Sequence, residues 1–402
     1  MIVDAWFDAR NRLLASPRFQ RSASDLPLIR RSAQHHARAL FDLCAGFVYS
    51  QILLACVQLD VFERLAAGPR ELQALAAELA LPLEAAERLV GAAVALGLLE
   101  RRRNGRVGLG VLGAALRANP GVLAMIEHHR LLYADLADPV ALLRAPRGAT
   151  GLARYWAYAG TTPQQPPAAD AVRDYTRLMS ASQQLVADVV LDAYPLESHR
   201  CLLDVGGGDG TFLERAARRA PALRLMLMDL PRVVALSRAR LDAAGLGARA
   251  TLLGGDFRRD ALPRGADVIT LVRVLHDHDD AAAAALLAAV HTALDDGGSV
   301  LVAEPFAATS GAETVGDAYF GMYLWAMGQG RTRRREELLA LLQAAGFVAA
   351  RSMRTRAPLQ TGLIVARKRA GRRGAQATRG EAAARAGTKC KLNLTTQRVS
   401  VA

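Results

Sequence analysis

The sequence predicts an α/β fold: a mostly parallel sheet with helices on both faces and an antiparallel C-terminal edge, preceded by a helical domain of winged-helix-like plan. Three observations predict it. Beyond Arg200, short apolar runs at Cys201–Val205, Leu223–Met228, Ala250–Leu253, Val268–Val272 and Ser299–Ala303 alternate with amphipathic segments, the alternation that builds a parallel sheet covered on both sides. After Gly346-Phe347 two further short runs extend to Val365 and read as the antiparallel edge. Upstream, two helical stretches joined at Pro82 precede a tight hairpin at Asn104-Gly105, the order of a helix-turn-helix with a wing.

The elements follow in order. Residues 1–34 are polar, Arg-rich and weakly patterned, and read as an N-terminal arm that orders on a partner. Residues 35–116 form the winged-helix-like domain, with helices over Glu71–Ala80 and Leu83–Leu96 and a wing over Arg101–Arg106. Such a module binds DNA or packs against protein. The helix in the recognition position carries Glu84 and Glu87 against Arg88 alone, so phosphate would repel it and a core or subunit interface suits it better.

Residues 117–198 are connecting helices broken by Gly160-Thr-Thr-Pro-Gln-Gln-Pro-Pro167, whose prolines mark a loop. Beyond that loop Tyr175, Leu178, Met179, Leu185, Val186, Val189 and Val190 recur at helical spacing. That stripe reads as core, with the aromatic at its start free to face a pocket. Residues 199–366 form the sheet domain, and 367–402 an Ala/Gly/Arg-rich tail expected to be disordered.

Composition sets the outer limits. With 402 residues, 51% of them hydrophobic and 22% charged, the chain is too long for one small domain and too apolar for disorder. A net charge of +13 would suggest nucleic acid or an anionic membrane, but ten Lys/Arg against one acid from Arg367 onward place +9 of it in the tail. The body is nearly neutral. Cys44, Cys56, Cys201 and Cys390 include no CxxC pair, so neither a disulfide framework nor a metal cluster is expected, and the chain reads as cytosolic. The longest apolar run, Ala281–Val290, is half a membrane span, and no secretion signal or transmembrane anchor is expected.

The chemistry-bearing signal is Leu202-Leu-Asp-Val-Gly-Gly-Gly-Asp-Gly-Thr211, a strand running into a glycine loop and a helix. Gly206, Gly208 and Gly210 let backbone approach a bound ligand where side chains would not. A dinucleotide fingerprint would need glycine at Thr211, so hydride transfer is disfavoured. An acid then follows each of the next two strands. Asp229, in Leu227-Met-Asp-Leu-Pro231, can accept from both ribose hydroxyls of a nucleoside. In Gly254-Gly-Asp-Phe257, Asp256 can receive an adenine amino group with Phe257 against the ring. Either acid alone reads as a helix cap, but acids in register after successive strands read as a site. The fourth strand ends in Arg273-Val-Leu-His-Asp-His-Asp-Asp280. His276 emerges where the site opens, Glu304 ends the fifth strand beside it, and Asp279 or Asp280 caps the Ala-rich helix that follows.

These motifs resemble the plant-type and acetylserotonin-type O-methyltransferases, over most of residues 35–366. The family pattern L-D-V-G-G-G-x-G matches Leu203–Gly210, D-L-P matches Asp229–Pro231, G-D-F matches Gly255–Phe257, and R-V-L-H-D matches Arg273–Asp277. The resemblance implies a dimerising winged-helix-like N-terminal domain and a Rossmann-like C-terminal domain. It implies S-adenosyl-L-methionine as cofactor, held by Asp204, Gly206, Gly208, Gly210, Asp229, Leu230, Gly255, Asp256, Phe257 and Arg273, with His276 as general base. The chain departs from the pattern twice. His278 stands where the family usually has tryptophan, and Gly330, in Gly328-Gln-Gly-Arg-Thr332, replaces an acid that would help hold the base. Glu304 is then expected to orient His276 alone.

Ala153-Arg-Tyr-Trp-Ala-Tyr-Ala159, the segment from Tyr323 and the N-terminal arm are most similar to bacterial carotenoid 1-hydroxyl methyltransferases of the hydroxyneurosporene or demethylspheroidene type. That similarity implies a tertiary hydroxyl on an acyclic carotenoid as acceptor, a homodimer, and at most peripheral membrane contact. Such an acceptor needs a long apolar channel, for which Tyr158, Tyr175, Met179, Tyr323, Trp325 and Met327 are candidates, and helical core packing accounts for the same residues. Two other readings share these motifs: an O-methyltransferase for a phenol, hydroxyindole or polyketide, and a winged-helix regulator that senses the cofactor.

Overall fold

The computed structural model describes residues 2–25, 27–155, 169–358 and 361–371. Tyr158 and the tail beyond residue 371 lie outside them, and of Tyr175 only the backbone is described. The chain divides into two compact units, Met1–Glu127 and His128–Ala402.

The first unit is helical apart from a two-stranded wing. The arm expected over residues 1–34 is helical, in Ile2–Leu14, Pro17–Asp25 and the start of Pro27–Gln58. Its weak sequence pattern reflects apolar side chains with little to pack on: Trp6 is 59% exposed and Leu13 51%. Over Arg30–Gln58 the third helix is long and apolar enough, by length and composition, to cross a membrane. Its apolar positions are interrupted by small and polar residues and form no single run in the sequence. Leu72–Glu78 and Leu83–Ala95 are the paired helices. The wing is β1 (Leu99–Arg101) against β2 (Val107–Leu109), in register Leu99↔Leu109. Asn104 and Gly105 turn it with φ of 60° and 70°. Val61, Phe62, Leu75, Val90, Leu99 and Val107 form its dry centre.

The second unit carries a seven-stranded sheet in the order β5-β4-β3-β6-β7-β9-β8. Its strands are β3 (Cys201–Val205), β4 (Arg224–Asp229), β5 (Ala250–Gly254), β6 (Val268–Val272), β7 (Ser299–Glu304), β8 (Val348–Met353) and β9 (Gly362–Arg367). The first five are parallel, while β9 runs antiparallel to β7 and to β8. Successive side chains point to opposite faces, and both faces are covered. Leu203, Ile269, Leu271, Val300 and Ile364 pack with Leu286, Leu287, Val290 and Leu338. Their neighbours Leu202, Val268, Leu301 and Leu363 pack with Val186, Val190, Phe212 and Leu213. This is why the strands read as unbroken apolar runs. β3 lies between β4 and β6, so the strand order reverses there. In open sheets of this kind a ligand crevice forms beyond the carboxyl ends at that reversal.

Candidate active site

Five parallel strands deliver their carboxyl ends to one rim, and the residues singled out from sequence stand on it. After β3, Gly206, Gly208 and Gly210 take φ of 68°, 60° and 82°, a region open to glycine and strained for other residues. A Cβ on Gly206 would stand 3.0 Å from Val274 Cγ2, whereas around Gly208 nothing lies within 4 Å. The loop therefore presents bare backbone to open space. Below it, Asp209 accepts from Thr211 N (3.2 Å) and Thr211 Oγ1 (2.7 Å) and pairs with Arg240, while Ser237 Oγ donates to the Gly208 carbonyl at 2.6 Å. Asp204 supports this loop from beneath. It is 1% exposed and accepts from Thr270 Oγ1 at 2.6 Å. Burial pushes its carboxyl up to about 7, against the Thr270 hydrogen bond.

At the end of β4, Asp229 accepts from Gly208 N and Leu230 N at 2.8 and 2.7 Å, so one carboxylate ties loop to strand. Burial raises it to about 6 in spite of those two hydrogen bonds. Gly255, buried, donates to the Asp229 carbonyl at 2.9 Å, and its missing Cβ would stand 2.7 Å from Met228 Cε. Asp256 is clasped by Arg258, with Nη2 at 2.9 Å. Burial raises that carboxyl, but the Arg258 hydrogen bonds and charge outweigh it and leave it below the ordinary range. Phe257 stands edge-on to His278, ring centres 5.5 Å apart. A bare glycine loop, a carboxylate with unused lone pairs beside it, and an aromatic ring at the next strand end fit the adenosyl portion of S-adenosylmethionine.

At the end of β6, Arg273 takes φ 58° and donates its N–H to the Ala303 carbonyl at 2.8 Å. Strain of this kind gathers at functional sites. The short turn Leu275–Asp277 then buries His276. Glu304 serves the whole turn. Its Oε1 accepts from Val274 N (2.9 Å) and Leu275 N (2.7 Å), and its Oε2 is hydrogen-bonded to His276 Nδ1. The other ring nitrogen, Nε2, lies 3.1 Å from Asp277 Oδ1, outside hydrogen-bond alignment. Burial opposes a charged imidazole, but Glu304 and Asp277 outweigh it and hold the ring's proton well above the usual histidine range.

Glu304 holds the His276 ring by a hydrogen bond, while Asp277 adds charge beside it and a buried cation holds the backbone of the turn. Arg333, 2% exposed, donates to the Leu275 carbonyl (Nη1, 2.7 Å) and the His278 carbonyl (Nη2, 2.8 Å), and its Nε reaches Asp280 at 3.0 Å. Arg331 N donates to the His276 carbonyl at 2.9 Å. Gly330 sits against the turn so closely that a Cβ there would run into that carbonyl and stand 2.8 Å from Asp277 Cα. The segment that lacks the family acid thus clamps the backbone of the turn. Asp279, not Asp280, caps the following helix, accepting from Ala282 N at 2.8 Å.

Across from the base, Thr314–Phe320 winds as a π-helix into Gly321–Met327, and Phe320 faces His276 with ring centres 6.1 Å apart. Tyr319 and Tyr323 meet His129 and His128 at 2.7 and 2.9 Å. Burial lowers both imidazoles, His128 to about 4, and raises Tyr319 to about 12. The four therefore form a neutral polar cluster. Sequence reasoning missed His128, His129, Arg333 and Asp277; the doublet His128-His129 inside an apolar stretch was the one visible signal. Tyr323 and Met327 are buried with Leu132, Leu142 and Leu152, and Met179 and Trp325 pack against them. Trp325 also lies 4.9 Å under the Arg147 guanidinium.

Residues 133–348 match the O-methyltransferase domain and residues 41–116 the O-methyltransferase dimerisation domain. The chain belongs to the O-methyltransferase family. Among curated relatives of this methyltransferase, the demethylspheroidene O-methyltransferase of Cereibacter sphaeroides is 45% identical, covering 84% of this chain and 88% of that protein. That of Rhodobacter capsulatus is 40% identical (89% and 88%), and the acetylserotonin O-methyltransferase of Mus musculus 34% (80% and 86%). Among solved structures, the human N-acetylserotonin methyltransferase in complex with S-adenosylmethionine superposes with a TM-score of 0.69 at 24% identity, covering 83% of this chain and 98% of that one. At that identity the likeness speaks to the fold.

Proposed function

We propose that this O-methyltransferase moves the methyl group of S-adenosylmethionine to the C-1 tertiary hydroxyl of an acyclic hydroxycarotenoid such as demethylspheroidene. One observation carries the choice of acceptor: two relatives at 45% and 40% identity, aligned over most of both chains, are demethylspheroidene O-methyltransferases. The chain works as a homodimer through residues 41–116, in keeping with the dimerisation domain matched there, and in the cytoplasm. When bound, the cofactor supplies an electrophilic methyl on a positively charged sulfur.

The protein's own residues then have three tasks. Gly206, Gly208 and Gly210 offer backbone to the cofactor, Asp229 accepts from its ribose hydroxyls, and Asp256 and Phe257 receive its adenine, with Leu230, Gly255 and Arg273 completing the shell. Tyr158, Tyr175, Met179 and Tyr323 are assigned to the acceptor, with Trp325 and Met327 packed beside Tyr323. His276 Nε2 takes the acceptor's proton as Glu304 holds Nδ1. Against burial, Glu304 and Asp277 raise His276 to about 10, so the ring must shed its own proton before it serves as base, and it then matches a phenol of about 10 but not an aliphatic alcohol, a far weaker acid. Proton removal must therefore accompany methyl arrival, and placement contributes more than basicity. Asp277 favours the charged ring that results.

The test is transfer of labelled methyl from S-adenosylmethionine to a panel of hydroxycarotenoids, N-acetylserotonin and simple phenols. The expected product is the carotenoid methyl ether. Labelling confined to the phenols or to the hydroxyindole would assign the acceptor elsewhere while leaving the transferase intact.

A further inference from the structure

The helix Ile2–Leu14 presents an apolar face that nothing in the described residues covers. Val3, Phe7 and Leu14 recur at spacings of four and seven, Trp6 and Leu13 at seven, and Asp4, Asp8 and Arg12 line the opposite side. That is the arrangement of an amphipathic helix. Trp6 is 59% exposed, Val3 63% and Leu14 45%. Such residues ordinarily find a core. Trp6 and Phe7 instead stand edge to face at 5.1 Å, with the Arg10 guanidinium over both rings at 5.4 and 4.8 Å. An arginine in the middle of the apolar face decides between occupants. Pairing this face with its own copy would press guanidinium toward guanidinium, whereas at a bilayer surface the aromatic rings enter the acyl boundary and the arginine meets lipid phosphate.

Charge points the same way. Residues 1–38 hold seven arginines against three aspartates, a local excess suited to anionic headgroups. The dimerisation domain matched in the sequence begins at residue 41, beyond the helix.

We propose that Ile2–Leu14 is a membrane-surface anchor whose Trp6, Phe7, Leu13 and Leu14 side chains insert at the headgroup level of an anionic bilayer, steadied by Arg10 and the arginines that follow. The anchor lies in the interface plane and does not span. It is independent of which acceptor is methylated, because its test contains none.

That test is flotation of the full-length protein with vesicles of phosphatidylcholine alone or with phosphatidylglycerol added. The wild type is expected to float with the anionic vesicles and to be released by high salt. Trp6→Ser with Phe7→Ser should weaken binding about tenfold or more, since two apolar side chains lose their burial. Binding of S-adenosylmethionine by calorimetry should persist as the measure of correct folding. Should that double variant prove insoluble, Leu13→Ser is expected to give the same loss on a smaller scale. The anchor is refuted if the wild type ignores anionic vesicles or the variant floats equally well. It is also refuted if the variant turns a dimer into a monomer, which would make the face a contact between copies.

Discussion

The two sides of the active site are built on different principles. On the cofactor side the ligand meets backbone: glycines at positive φ and carboxylates at the ends of β3, β4 and β5, each within a few residues of its own strand. On the side proposed for the acceptor the wall is made of side chains drawn from distant helices, as in His128 with Tyr323 and His129 with Tyr319, about 190 positions apart in sequence. The difference separates two kinds of requirement. A nucleoside is the same in every member of the family, so its seat is a local motif with little freedom. The acceptor differs among relatives, so its wall is assembled from packing that can change without disturbing the sheet.

If this division holds, the largest effect must come from the group serving both sides. His276→Ala is expected to lower kcat by about a hundredfold to ten-thousandfold, the usual worth of a positioned acid or base, with cofactor affinity unchanged by calorimetry. Glu304→Gln should lose less, because it keeps an acceptor for the backbone but not the charge that favours a protonated ring. A variant lacking the imidazole that still turns over at full rate would remove the base from the mechanism.

The same division accounts for what could be read from sequence. The strand Cys201–Val205 was legible to the residue because both its faces are covered, so every position is apolar except Asp204, and that exception is itself hydrogen-bonded to Thr270. The turn at Asn104-Gly105 was legible because few residue pairs take two positive φ values. Arg333 was not, since its partners are the carbonyls of Leu275 and His278, which no side chain advertises. The backbone contact of Gly330 was hidden for a related reason. Its absent side chain reads as a missing acid, whereas the structure uses the gap to bring backbone onto backbone. Ile2–Leu14 escaped notice because Arg10 stands inside its apolar face and disguises the period.

A sharper contrast comes from a matched pair of substitutions. Asp229→Asn removes a charged acceptor from the cofactor side and should weaken S-adenosylmethionine binding by roughly tenfold to a hundredfold, from the usual value of a charge-assisted hydrogen bond. The KM for the acceptor should hardly move. Tyr319→Phe, which strips the hydroxyl from the His129 pair, should do the reverse and raise the acceptor KM a few-fold at constant cofactor affinity. Wild-type cofactor binding should also weaken as pH falls through about 6, where Asp229 gains its proton; Asp229→Asn should lose that dependence. Equal effects of both variants on both ligands would dissolve the distinction between the two sides.

The smallest expected effect concerns the cofactor side with no ligand present. Burial raises Asp204 to about 7 in the folded chain, against an ordinary value of 3.8. The folded state therefore binds a proton that the unfolded state has released between those two values. Stability is then highest below about pH 4 as far as this group is concerned, and its contribution is lost progressively as pH climbs toward 7. Asp204→Asn keeps the oxygen that accepts from Thr270 and has nothing to ionise. It should melt close to the wild type at pH 4 and above it at pH 8, with the gap opening across that interval. A gap that stayed constant with pH would mean that Asp204 remains ionised beneath the glycine loop, paired with something other than Thr270.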